Sequence, residues 1–78
     1  MSIRVRFFAS LREHVGRAEA ELPDPGVPLT VTDAWARLNP DLALPPNTLA
    51  AINLEHADLA APVRDGDELA FFPPVTGG

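Results

Sequence analysis

One stretch near the middle of the chain has the features of a helix around which the rest of the fold can pack: Thr30-Val31-Thr32-Asp33-Ala34-Trp35-Ala36-Arg37-Leu38-Asn39-Pro40. Its start is typical of a helix cap, because the Thr30 hydroxyl can accept a hydrogen bond from the amide of Asp33. The apolar residues then recur at helical spacing and form one stripe. Asn39-Pro40 ends the pattern, because the residue before a proline disfavours helical torsion angles. The stretch predicts the main core helix, with Trp35 in the core.

The residues before this helix alternate between apolar and polar side chains, the period of two that marks half-buried strands. Residues 3–8 predict a first strand, and the alternation places Phe8 on its arginine-bearing face as an exposed aromatic residue. Residues 18–22 predict a second strand. Between the two, residues 10–15 predict a single helical turn that begins with a cap-like serine and is closed by a glycine.

The residues after the helix predict the rest of the sheet. The proline-rich residues 41–47 predict an irregular connection. Residues 49–55 predict a strand, residues 57–60 a short edge strand, and residues 68–72 a last strand that follows the turn at residues 65–67. This order predicts an α+β domain, in which one main helix covers a mixed sheet of four to five strands. Ubiquitin-like β-grasp domains share that order.

The composition indicates one small globular domain and excludes several classes of function. A chain of 78 residues has room for one core. Its net charge of −5 opposes binding to nucleic-acid phosphates and to anionic membrane surfaces. It has no cysteine, and no run approaches the roughly 20 apolar residues that span a bilayer. We therefore expect a cytoplasmic protein that binds other proteins, without nucleic acid or membrane as partners.

No side chain or cluster predicts catalysis by the chain itself. His14 and His56 are isolated and lack the spacing of metal ligands. Asp65 and Asp67 flank a turn glycine without the further oxygen ligands of a calcium loop. The sequence shows neither a phosphate-binding glycine loop nor a nucleophile elbow. We expect no metal and no bound cofactor, and no ATP bound by the chain alone.

The exceptional feature is the end of the chain, Phe71-Phe72-Pro73-Pro74-Val75-Thr76-Gly77-Gly78. The diproline fixes backbone torsion and removes amide donors, so it should hold the chain extended as it leaves the last strand. Residues 73–78 then reach about 20 Å, at roughly 3.3 to 3.6 Å per residue. Gly77 and Gly78 carry no side chain, so a narrow channel can admit them. We predict a β-grasp domain at residues 1–72 and an extended tail at residues 73–78.

The terminal carboxylate of Gly78 is an anion at neutral pH and a poor electrophile, so its chemistry requires activation. A partner that transfers AMP from ATP would convert it to an acyl adenylate. A sulfur donor that displaces AMP would then leave a thiocarboxylate. The alternative is a loose terminus without tail chemistry, in a protein that serves as a plain interaction module. The apolar segment before the two glycines, which is stiffened by two prolines, favours the interpretation in which the terminal carboxylate reacts.

The sequence resembles the small subunit of molybdopterin synthase, the MoaD family. Residues 17–48 match that family only in pattern, and the connection after the helix, residues 40–48, is shorter than usual. The resemblance rests on residues 3–9, 11–13, 15–16, 49–53 and 65–78, and the last of these segments is the most specific.

The resemblance implies that an E1-like adenylyltransferase activates Gly78 with ATP and that a sulfur donor protein supplies the sulfur. It also implies that the large synthase subunit holds the catalytic residues and passes this sulfur to a pyranopterin precursor. Two related functions stay open, namely a sulfur carrier for thiamine or tRNA thiolation and a ubiquitin-like protein modifier. The residues implied to contact partners are Phe8, Phe72, Pro73, Pro74, Val75, Thr76 and Gly77.

Overall fold

A five-stranded mixed sheet and one main helix form the body of the computed structural model, which describes residues 1–74. The α+β architecture predicted from the sequence is thereby confirmed. In chain order the elements are β1 Ser2–Phe7, α1 Ser10–Val15, β2 Glu19–Pro23, β3 Leu29–Thr30, α2 Val31–Leu38, β4 Leu49–Ile52, β5 Glu55–Ala57, β6 Pro62–Val63 and β7 Glu68–Phe72.

The sheet order places the last strand at the centre. The strands lie in the order β2-β1-β7-β4-β5. The pair β1 and β7 is parallel, while the other neighbours are antiparallel. A second, two-stranded sheet pairs β3 with β6. The sequence did not predict β3 or β6, because two residues are too few to show a period of two.

The core lies between α2 and the sheet. Trp35 is 2% exposed and packs edge-on against Phe7 and Phe71, with ring centroids 5.7 Å and 5.2 Å away. The Phe7 and Phe71 rings stack on each other at 5.8 Å. The Trp35 indole also donates a hydrogen bond to the Leu42 carbonyl at 2.7 Å, which ties the connection after α2 to the core. Aromatic pairs of this kind add to the free energy gained from burial alone.

The two helices begin differently. The Thr30 hydroxyl accepts a hydrogen bond from the Asp33 amide at 3.0 Å, so the predicted cap of α2 is confirmed. The predicted serine cap of α1 is wrong, because Ala9 occupies the cap position without a side-chain bond and Ser10 is already helical. The chain turns sharply out of β1 and places Ala9 at φ 52.

Within the described residues, no helix is long and apolar enough to cross a membrane.

The strand predicted at residues 49–55 is a hairpin instead. Asn53 and Leu54 adopt φ 51 and φ 71, the left-handed pair that reverses a chain in two residues. Leu54 continues the apolar alternation of the sequence, but it is 90% exposed at the tip of the turn. The edge strand β5 therefore runs over Glu55–Ala57, earlier than the predicted residues 57–60.

Candidate functional site

The candidate site is the point where the chain leaves the sheet. Strand β7 is hydrogen-bonded to β1 on one side and to β4 on the other, and Phe71 within it is fully buried. Phe72 pairs with Leu49 and ends the strand. A central strand held on both sides is among the most firmly fixed parts of a small domain. The segment that follows therefore starts from a fixed position.

Two prolines mark the exit from β7. Pro73 is half-buried, whereas Pro74 is exposed. Because a proline has no amide proton, neither residue can extend the hydrogen-bond ladder of the sheet. Residues 75–78 lie outside the described part of the chain. The extended conformation predicted for residues 73–78 therefore stays a prediction, and so does the boundary between a domain at residues 1–72 and a tail at residues 73–78.

Phe72 lies on the face of the sheet that is turned away from α2. Phe71 points into the core, and side chains alternate along a strand, so Phe72 is directed to the opposite face, where it is half-buried. The His56 ring contacts it edge-on, with centroids 6.0 Å apart. Phe8 follows β1 next to this position, and its amide donates to the Phe71 carbonyl at 3.0 Å. The Phe8 side chain is 45% exposed, as the sequence predicted.

These aromatic residues belong to a larger apolar surface, which we call the outer patch. Ala51 pairs with Ala70 on β7 and with His56 on β5, so it lies in the middle of the outer face. None of the patch residues is fully buried. The outer patch consists of Phe8, Leu49, Ala51, Ala70 and Phe72, and three of these residues, Phe8, Leu49 and Phe72, lie at the end of the sheet where the chain exits.

A charged border runs beside the outer patch. The Nε atom of Arg6 lies 3.5 Å from a carboxylate oxygen of Glu19 and 3.5 Å from one of Glu68. Arg6 is the β1 neighbour of Ala70, so the border adjoins the patch directly. Ion pairs between side chains that are a third to two thirds exposed, as these are, contribute little to stability. Their effect here is to hold the arginine beside acidic groups of its own sheet.

The structure brings together only part of the site predicted from the sequence. Phe8 and Phe72 lie at one end of the outer face, and Pro73 and Pro74 follow Phe72 directly where the chain leaves the sheet. Their role in binding stays a prediction. The other predicted residues, Val75, Thr76, Gly77 and Gly78, lie outside the described part of the chain.

Sequence reasoning missed several residues of the outer patch. Leu49 and Ala51 of β4 and Ala70 of β7 become neighbours only through strand pairing. Alternation within each strand indicates which residues share a face, but it does not indicate which strands are adjacent. His56 was predicted to be an isolated surface residue; it is exposed, but it contacts Phe72.

Among residues 1–74, no group of three or more potential ligands could hold a metal ion.

The strand order and the central position of the last strand define a ubiquitin-like β-grasp domain whose last strand ends beside an apolar sheet face. The chain belongs to the ThiS family, which matches residues 5–78. The family resemblance seen in the sequence is confirmed by this match and by the curated relatives.

Two relatives carry the name molybdopterin synthase sulfur carrier subunit. The protein from Escherichia coli (strain K12) is 42% identical, and the similarity covers 97% of this chain and 99% of the relative. The protein from Haemophilus influenzae is 39% identical with the same coverage. The similarity thus extends over nearly the whole of both relatives.

Solved structures agree on the fold. The small archaeal modifier protein 1 of H. volcanii has a TM-score of 0.76 and 30% identity, covering 95% of this chain and 98% of its own. A complex of subunits 1 and 2 of molybdopterin-converting factor from Helicobacter pylori contains a chain with a TM-score of 0.66 and 26% identity, covering 100% of both chains. The predicted β-grasp fold is therefore confirmed.

Proposed function

We propose that this chain is the sulfur carrier subunit of a molybdopterin synthase. The observation that carries the proposal is the similarity, over nearly their full length, to two relatives named as that subunit. The exit of the chain from the centre of the sheet supports it, because the terminal segment then follows a strand that is held on both sides.

The proposed chemistry takes place at the carboxylate of Gly78. A carboxylate oxygen attacks the α-phosphorus of ATP in an E1-like adenylyltransferase, which forms an acyl adenylate and releases pyrophosphate. A sulfur nucleophile from a donor protein then attacks the acyl carbon, and AMP leaves as the C–S bond forms. When that nucleophile is a persulfide, the product is an acyl disulfide, and a second thiol of the donor protein attacks the donor's cysteine sulfur. The S–S bond breaks, the donor is left with a disulfide, and Gly78 carries a thiocarboxylate. This group donates its sulfur to a pyranopterin precursor.

The outer patch is the surface proposed to dock the large synthase subunit. Exposed apolar surfaces that are bordered by charged residues are typical of protein interfaces. Phe8 and Phe72 supply the aromatic side chains that often anchor such contacts. The Helicobacter pylori complex of subunits 1 and 2 supports a partner of this kind. The terminal segment, residues 73–78, is proposed to enter that subunit, which supplies the acid and base groups for catalysis.

The cytoplasm is the proposed location, because the activation step consumes ATP. The chain also has no cysteine and so requires no oxidising compartment.

A function as a protein modifier is the second candidate. It is favoured by the similarity to the small archaeal modifier protein 1 of H. volcanii, which is 30% identical and has a TM-score of 0.76. The two functions share the adenylation step and differ in the acceptor. A modifier would transfer its acyl group to an amine of a target protein, whereas a sulfur carrier loses only sulfur and regains its carboxylate.

Reconstitution with the large subunit tests the proposal. The thiocarboxylated chain, mixed with the large subunit and the pyranopterin precursor, should produce the dithiolene product and return to its original mass. A variant that lacks Gly77 and Gly78 should fold normally and yield no product. Product formation by this variant would refute the proposal, and covalent attachment of the intact chain to lysines of other proteins, without dithiolene, would favour the modifier function.

A further inference from the structure

A groove lies against the chain where it leaves β7. Helix α1 forms one wall with Leu11 and His14, and the turn at residues 45–48 forms the other. Pro73 and Pro74 also line the groove. The groove has a volume of about 300 Å³. We call it the exit groove, because it borders the last residues described before the end of the chain.

The turn at residues 45–48 is held by the side chain of Thr48. This residue is 4% exposed, and it is the one buried polar residue in the described part of the chain. Its hydroxyl donates to the Pro45 carbonyl at 2.6 Å, and its amide donates to the same oxygen at 3.4 Å. Asn47 between them adopts φ 64. A buried hydroxyl with its bond satisfied stabilises one conformation of the turn, and the 2.6 Å hydroxyl bond is the shorter of the two that the Pro45 carbonyl accepts.

Strand register brings this turn to the two prolines. Leu49 pairs with Phe72, so Thr48 and Pro73 lie opposite each other one step further along the two strands. Pro73 has no amide proton, so it cannot donate to a backbone ladder at that position. The position of Pro73 beside the turn therefore depends largely on packing, and packing requires the turn to keep its shape.

We propose that Thr48 is a positioning residue that fixes the direction in which the chain leaves the sheet. It holds the turn at residues 45–48 against Pro73 and Pro74, while α1 supports them from the other side. Its importance for sulfur transfer rests on the proposed function. A fixed direction lowers the entropy lost when the terminal segment enters an activating enzyme, so that docking is tighter with no additional contact.

The first test examines the exit itself. Nuclear Overhauser contacts between the Leu11 methyl groups and the rings of Pro73 and Pro74 should be present in the original chain. They should be weakened in Thr48→Val, which keeps the side-chain shape and removes the hydroxyl. Thr48→Ser restores the hydroxyl and should restore them. Undiminished contacts in Thr48→Val would overturn the proposal, whether or not the chain carries sulfur.

A matched control is available on α2. The Thr32 hydroxyl donates to the Leu59 carbonyl at 3.1 Å, and α2 covers the opposite face of the sheet from the outer patch. Thr32→Val removes the same kind of bond and should leave the exit contacts unchanged. If Thr48→Val does not fold, as judged by the near-ultraviolet dichroism of Trp35, Thr48→Ala provides the same comparison.

The second test measures adenylation as pyrophosphate release by the E1-like partner. For Thr48→Val, the KM for the carrier should rise about three- to tenfold while kcat stays within about twofold, as expected when the extra cost lies in docking. Thr48→Ser and Thr32→Val should retain the original KM. An unchanged KM in Thr48→Val, or an equal rise in Thr32→Val, would overturn the proposal. If the original chain is not adenylated, the proposed function fails and the first test still decides the role of Thr48.

Discussion

At the scale of single residues, Asn53 shows how one side chain connects separate parts of the sheet. Its Nδ2 donates to the Asp67 carboxylate and its Oδ1 accepts from the Glu68 amide, both at 3.0 Å. Its backbone also adopts φ 51, which asparagine tolerates better than most residues. Asn53 therefore links the β4–β5 turn to the start of β7.

Asn53→Ala should lower the free energy of unfolding by about 1 to 3 kcal/mol, because it removes both hydrogen bonds and places alanine in a left-handed conformation. Urea unfolding followed by Trp35 fluorescence measures this change. Leu54→Ala is the matched control, since Leu54 lies in the same turn with its side chain 90% exposed. It should change stability by less than about 0.5 kcal/mol. Equal effects of the two substitutions would contradict the role given to Asn53.

At the scale of secondary-structure elements, the sequence predicted those elements whose signals lie in residues close together along the chain. The stripe and cap of α2 were found because they depend on residues within one turn of each other, such as Thr30 and Asp33. The β4–β5 hairpin was missed because Leu54 continues the apolar alternation through the turn. The bonds that favour a turn at Asn53 come from Asp67 and Glu68, which are distant in sequence.

The same limit applies to the candidate site. Phe8 and Phe72 were identified singly as exposed or tail-adjacent aromatic residues. Their common surface with Ala51 arises from pairing between β4 and β7, which no local pattern specifies. The exit groove was missed for the same reason, since Pro45 and Thr48 come to line one groove with Pro73 and Pro74 only after the strands pair.

The outer patch predicts a specific loss of binding. Ala51→Asp introduces a charge in the centre of the patch, which a partner could cover only by desolvating it. The affinity for the large subunit, measured by titration calorimetry, should fall about tenfold or more. The control is Ala36→Asp, which places the same charge on an exposed position of α2 and should leave the affinity unchanged. Equal affinities for all three chains would mean that the partner docks elsewhere.

At the scale of the whole molecule, folding and the proposed chemistry use different parts of the chain. The buried core that the structure describes ends at Phe71, while the reacting group of the proposed function lies at Gly78. A carrier of this design can change the group at its end without repacking its core. The family match through residue 78 is consistent with this division of roles.

Removal of residues 75–78 should therefore leave the stability of the domain unchanged. Thermal unfolding of the shortened chain should have a midpoint within about 2 °C of the original, which corresponds to a change well under 1 kcal/mol in a domain of this size. The comparison variant is Phe71→Ala, which removes a fully buried ring and should cost about 3 to 5 kcal/mol. A large drop in the midpoint on shortening the chain would show that the tail takes part in folding.

Sulfur transfer to Gly78 is tested by the intact mass of the full chain after incubation with an E1-like adenylyltransferase, ATP and a sulfur donor. The mass should rise by the difference between one sulfur and one oxygen atom, and the gain should be located at Gly78 by fragmentation and be absent when ATP is omitted. The sulfur carrier subunit from Escherichia coli serves as the control for an active enzyme. An unchanged mass in a reaction that converts this control would show that Gly78 does not carry sulfur.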